Sequence, residues 1–197
     1  MNIVAAVLAT IVAAVAMSAG GQDRQQQPPL IDTIQSQIAD HHGVIWSPTR
    51  KLTWEDFTGA VVNADLGEAA HLEYGLFYGV RCTGRTLQFR VINAMIPGDS
   101  WVLPSVISSP ADNARTLQHE QTHFDLAEVH ARKMEKYFAG LYEPCMRTNE
   151  DLAALADGLI KTQSAEQKRY DDETRNGRRT DAQKRWDADV ASRLNER

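Results

Sequence analysis

Residues 109–140 read SPADNARTLQHEQTHFDLAEVHARKMEKYFAG, and the reading of this stretch decides the fold. Ser109 supplies a hydroxyl cap, Pro110 suits the first helical position, Asp112 adds an acid to the first turn, and Gly140 supplies a stop. Together these signals predict a long helix ending near Phe138. On a 100° wheel His119, His123 and His130 fall within ~40° of one another, flanked by an apolar arc of Leu117, Phe124, Ala127, Ala131, Met134 and Phe138. Gln118, Gln121, Asp125, Glu128, Arg132 and Lys136 fall on the other side. The expectation is a helix that buries one flank and presents its histidines to a cleft beside the core, with Glu128 and Arg132 as an exposed i,i+4 pair.

Working outward, a second long helix is expected from the capping box Thr148-Asn149-Glu150-Asp151 to about Asn176-Gly177, and a third from about Thr180 to Leu194. Upstream, the period becomes two. Leu72, Tyr74, Leu76, Tyr78, Val80 and Cys82 alternate on one face, Thr83-Gly84-Arg85 makes a turn, and Leu87, Phe89, Val91 and Asn93 alternate on the return, which predicts a β-hairpin over 71–96. Trp46, Trp54 and Phe57 belong to a turn-rich segment expected to pack as a lid or edge. The sum is an α+β, zincin-like single domain, with a small antiparallel sheet packed on long C-terminal helices.

Composition narrows the function classes. With 43% hydrophobic and 24% charged residues the chain falls in the range of globular proteins, and its formal net charge of -5 gives no global reason to expect nucleic-acid or anionic-membrane binding. The run from Ile3 to Met17 is apolar, is shorter than the ~20 residues that cross a bilayer, and is followed by small residues, as in a secretory signal peptide. The organisation expected is a signal peptide over 1–20, a polar spacer over 21–42 and a domain over 43–197, in a secreted or periplasmic protein without stable membrane insertion once the signal is removed. An uncleaved N-terminal anchor is the alternative. Outside the cytoplasm the two cysteines, Cys82 and Cys145, suit one disulfide, the alternative being two separate buried side chains.

The chemistry is carried by His119-Glu120-Gln121-Thr122-His123, the H-E-x-x-H pattern on a helix. Four residues make about one turn, so both imidazoles project from one face and can share one Zn2+. Glu120, turned ~100° from His119, is placed as the general base for a water that zinc acidifies towards pKa ~7. His130 lies ~10 Å beyond His123 along a straight helix, too far to share the ion, so the third ligand has to come from another element. Tyr170-Asp171-Asp172-Glu173-Thr174 on the second long helix offers acids for that position and Tyr170 as an oxyanion stabiliser, against the plainer reading of solvated acids near a helix end. Asp171 and Glu173 are ~200° apart, so only one of them can face the metal.

Beyond these residues the chain resembles an uncharacterised bacterial family described as predicted secreted zinc-dependent proteases, the domain of unknown function numbered 922. The resemblance covers Leu52-Thr53-Trp54-Glu55-Asp56-Phe57-Thr58-Gly59, Ser100-Trp101, His119 to Glu128, and Tyr170-Asp171-Asp172-Glu173-Thr174 with Gly177 and Trp186. Thr122 stands where the family commonly has glycine and Asn176 where it commonly has histidine. The second departure removes a possible ligand or proton donor and leaves Asp171 and Glu173 as the matching acids, Asp171 favoured. The function expected is an exported zinc-dependent peptidase acting on a peptide or protein substrate. The alternative is an exported metal-binding or interaction protein with a non-catalytic zinc site; the sequence gives no oligomeric state.

Overall fold

The structure, a computed structural model, describes residues 28–62 and 68–196. In chain order they form α1 (Leu30–Asp40), β1 (Val44–Ile45), β2 (Ala70–His71), β3 (Tyr74–Thr83), β4 (Thr86–Met95), β5 (Trp101–Val102), α2 (Pro104–Ser108), α3 (Pro110–Ala139), α4 (Asn149–Thr174) and α5 (Thr180–Asn195). The architecture is α+β, with an antiparallel sheet of order β1-β4-β3 and a separate β2-β5 pair. The signal-peptide reading of 1–20 lies outside the described residues.

The hairpin forms where its alternation predicts. Tyr78 pairs with Val91 and Val80 with Phe89, and these side chains pack with Met134 and Phe138 of α3, where the Phe89 and Phe138 rings stack at 3.8 Å between centroids. The opposite face is also covered. Ile34 and Ile38 of α1 bury themselves against Ala94, with Phe77 and Ile92 alongside. Gly79 permits this approach, since a Cβ there would lie 2.6 Å from Leu30 Cδ1.

That second cover corrects the sequence reading, which places residues 21–42 in a polar spacer. From Leu30 to Asp40 the chain is helix, and Ile34 and Ile38 are each only 1% exposed. Leu30, Ile34 and Ile38 stand four apart, a helical stripe hidden among Gln and Asp.

The three long helices form close to the expected bounds, and Thr148 and Asp151 complete the capping box. Ser109 is the N-cap of α3, but its hydroxyl donates to Asp112 Oδ2 (2.9 Å) and makes no bond to the helix backbone. The side of α3 expected to be polar is exposed at Gln118, Arg132 and Lys136 but covered at Gln121 and partly at Asp125. Gln121 is 5% exposed, its Oε1 accepts from Leu52 N (2.7 Å), and Asp125 accepts from Trp46 Nε1 (2.8 Å) and Lys51 Nζ (3.0 Å). The Trp46–Phe57 segment is therefore fastened along α3. Behind it, Leu126 and Val129 pack with Tyr170 of α4 and Trp186 and Val190 of α5.

Cys82, at the end of β3, is bonded to Cys145 in the turn between α3 and α4, with 5.7 Å between their Cα atoms. The bridge closes a separation of 63 residues, for which loop entropy gives a stabilisation of roughly 4 kcal/mol. The double variant Cys82→Ala/Cys145→Ala is expected to lose about 3–4 kcal/mol in urea unfolding with the fold retained.

A second clamp joins the three long helices. Arg193 of α5 donates through both terminal nitrogens to Glu166 of α4 (3.1 and 3.0 Å), and His130 Nε2 of α3 lies 2.6 Å from Glu166 Oε2. Burial alone would raise the Glu166 carboxyl, but Arg193 and then His130 outweigh it and hold it down at about 2. A depressed carboxyl stabilises the fold above its unfolded value, about 4.5, and that stability is lost as pH falls towards about 2. Discounted for solvent screening, Glu166→Gln is expected to cost about 1–2 kcal/mol near neutral pH. The difference from wild type should shrink across that acid window when unfolding is measured as a function of pH.

Candidate metal centre

The polar centre is built where α4 and α5 close over the middle of α3. His119 and Glu120 are 4% and 5% exposed. His119 Nε2 and His123 Nε2 lie 3.1 Å apart, and Asp171 Oδ1 is 3.1 Å from the first and 2.9 Å from the second. These three residues form a cluster that could hold a metal ion.

The outer nitrogens show why the inner ones can act as ligands. Gln167 Nε2 donates to the His123 carbonyl (3.0 Å), which turns its Oε1 towards His123 Nδ1 at 2.6 Å. Gln183 Nε2 donates to Asp187 Oδ1 (2.7 Å), which turns its Oε1 towards His119 Nδ1 at 3.3 Å. An amide oxygen only accepts, so each imidazole must donate through Nδ1 and, when neutral, carry its lone pair on Nε2. Two lone pairs and a carboxylate oxygen then face one another 2.9–3.1 Å apart, close to the ~3.3 Å between neighbouring ligands of a tetrahedral ion with 2.0–2.1 Å bonds. The donor set fits a divalent cation.

The electrostatics agree. Burial opposes charge on His123, but Asp171 outweighs it and, together with Glu120, pushes the imidazole up to about 9. Burial also opposes ionisation of Asp171, yet His123 and His119 hold it well below the usual carboxylate range. Glu120 is raised, chiefly by burial. Among the described residues no side chain or backbone group hydrogen-bonds its carboxylate, unlike the other acids around α3.

The structure separates the acids as helical geometry requires. Asp171 joins the cluster, while Glu173 points elsewhere and accepts from Trp186 Nε1 (2.8 Å). Tyr170 needs correction as an oxyanion stabiliser. Its side chain is fully buried, its hydroxyl donates to the His119 carbonyl (3.2 Å) and accepts from Gln183 Nε2 (2.6 Å), and its ring stacks on His119 at 4.7 Å. Consecutive residues on a helix differ by ~100°, so with Asp171 on the cluster Tyr170 turns into the core and supports the imidazoles from behind. His130 stays away, bonded to Glu166.

Residues 113–178 match the model of a family described as "Bacterial protein of unknown function (DUF922)". The match takes in His119, Glu120, His123 and Asp171 and ends just past Gly177. No curated protein and no solved structure matches the chain. The Thr122 hydroxyl lies 2.7 Å from Asp187 Oδ1, the same oxygen that receives Gln183. Gly177 (φ +74°) brings the turn after α4 against His119, where an added Cβ would meet the imidazole's own Cβ at 3.1 Å. A side chain there would suffer in conformation and in space.

Sequence reasoning missed Gln167 and Gln183. A signal for the first exists: the buried stripe of α4 runs Leu152, Ala156, Ile160 and then turns polar at Gln163 and Gln167. In zinc titrations His119→Ala, His123→Ala and Asp171→Ala are each expected to abolish metal uptake, and Glu173→Ala to leave it intact. Gln167→Ala should bind about 10- to 100-fold more weakly, because it frees the ring it orients.

Proposed function

We propose that this chain is an exported zinc-dependent peptidase of zincin-like construction, acting on peptide or related amide bonds. The observation that carries the reading is the position of Glu120. It is a buried carboxylate without a hydrogen-bond partner among the described residues, one position along α3 from a histidine of a three-residue cluster. Structural zinc sites are closed by four protein ligands, whereas catalytic ones use three. His119, His123 and Asp171 would hold the ion.

When bound, zinc supplies a Lewis acid that polarises a carbonyl and acidifies a water. Glu120 would accept the proton of an attacking water as the water oxygen bonds to the carbonyl carbon and the C=O electron pair moves onto the carbonyl oxygen. It would then return the proton to the amide nitrogen as that pair re-forms C=O and the C–N bond breaks. Its raised affinity for the proton, caused by burial, suits an acceptor that must also donate. Gln167 and Gln183 keep both Nε2 atoms turned inward, and Tyr170 supports the ring of His119.

Export is supported by the bonded Cys82–Cys145 pair, which suits an oxidising compartment. Among the described residues no helix is long and apolar enough to cross a membrane. With labelled casein as substrate, the zinc-loaded wild type should release soluble peptides. Glu120→Gln should keep its zinc and lose about a hundred- to ten-thousand-fold in kcat. Equal turnover in the two would remove the general base, and retention of zinc without any turnover in the wild type would favour the non-catalytic metal protein.

A further inference from the structure

With the Tyr170 hydroxyl committed to the core, the oxyanion formed on attack needs another donor, and the chain from Ala70 to Tyr74 offers one. β2 lies against α3. Leu72 enters the apolar cluster that also contains Phe124 and Leu117, residues one turn to either side of Glu120 on α3. Tyr74 reaches α4, where its hydroxyl accepts from Gln163 Nε2 (2.5 Å), one turn before the brace Gln167. Leu72 and Tyr74 thus anchor the chain that follows His71 to α3 and α4, and β2 itself lies on α3.

Its imidazole is held as a working imidazole is held. The ring stacks on Trp101 (6.1 Å, 23° between planes), the residue opposite it in the β2-β5 pair. Nε2 lies 3.4 Å from Glu73 Oε2, and Glu73 is fixed by its own backbone N–H, which donates to buried Ser100 Oγ (2.9 Å). Nδ1 has Glu68 Oε2 at 4.0 Å, beyond hydrogen-bond distance, and a third of the side chain (33%) is exposed. With Nε2 held on a carboxylate that only accepts, Nδ1 donates to a ligand when the ring carries both protons.

We propose that His71, oriented by Glu73 and Trp101, donates a hydrogen bond to the carbonyl oxygen as it becomes an anion, opposite the proton acceptor Glu120. This rests on the peptidase reading above. The proton stays on the imidazole, so no electron or leaving group moves through His71; Glu73 is a positioning residue. The charges around the ring favour the donor form: the Glu73 hydrogen bond raises its pKa most, burial opposes, and Glu73, Glu120 and Glu68 raise it further through space.

The test uses the full mature chain, with folding checked by thermal unfolding. In the zinc-free protein, NMR titration should place the His71 pKa above 6.5, and Glu73→Gln should bring it down. In the zinc-loaded protein His71→Ala should keep its zinc and its KM for a fluorogenic peptide, lose about a hundredfold or more in kcat, and bind a phosphinic pseudopeptide weaker by a similar factor. His71→Gln, which keeps a donor, should recover part of both. Wild-type turnover and phosphinic binding that survive unchanged in His71→Ala overturn the assignment of His71 alone. Absence of zinc-dependent turnover in the wild type overturns the peptidase reading and takes this assignment with it.

Discussion

A polar group taken out of water needs a partner, and α3 buries an unusual run of them between Thr116 and His130. The rest of the molecule is arranged around meeting that demand. Gln121 is met by the backbone of Leu52, Asp125 by Trp46 and Lys51, His130 by Glu166, His119 by Gln183 and His123 by Gln167. The partners come from three stretches of chain, so the polar contacts also fix where the 46–52 segment, α4 and α5 sit. Glu120, the acid beside His119 in that run, has no hydrogen-bond partner among the described residues.

The same logic explains why the metal cluster is held so firmly. A neutral imidazole can offer its lone pair from either nitrogen, and a flexible ring would sample both. Two glutamines remove that freedom because their amide nitrogens are already committed, one to the His123 carbonyl and the other to Asp187. Tyr170 fills the space behind the rings, and Gly177 lets the end of α4 close against His119. Orientation is therefore built into the folded chain.

Much of this was legible in the sequence where a single helix or hairpin carried the information. The limits of α3 followed from Pro110 and Gly140, the hairpin from its alternation, and the shared face of His119 and His123 from their spacing. The ~200° between Asp171 and Glu173 required a choice between them. What misled was local context without a partner. Residues 30–40 looked like spacer because Gln and Asp surround Ile34 and Ile38, and the stripe gains meaning only against the outer face of the hairpin. Tyr170 looked like a site residue because it adjoins Asp171 in sequence, although adjacency on a helix turns one side chain away when the other faces inward.

The sequence by itself determined the periodic elements and the chemical types available on each, since helix and strand periods are properties of neighbouring residues. Only the tertiary structure decided which distant groups meet: Gln167 and Gln183 behind the histidines, His71 against Trp101, and α1 on the hairpin. The reason is physical. A side chain's direction is set by its own few neighbours along the chain, but its partner is set by how whole helices pack, and that depends on every buried surface at once.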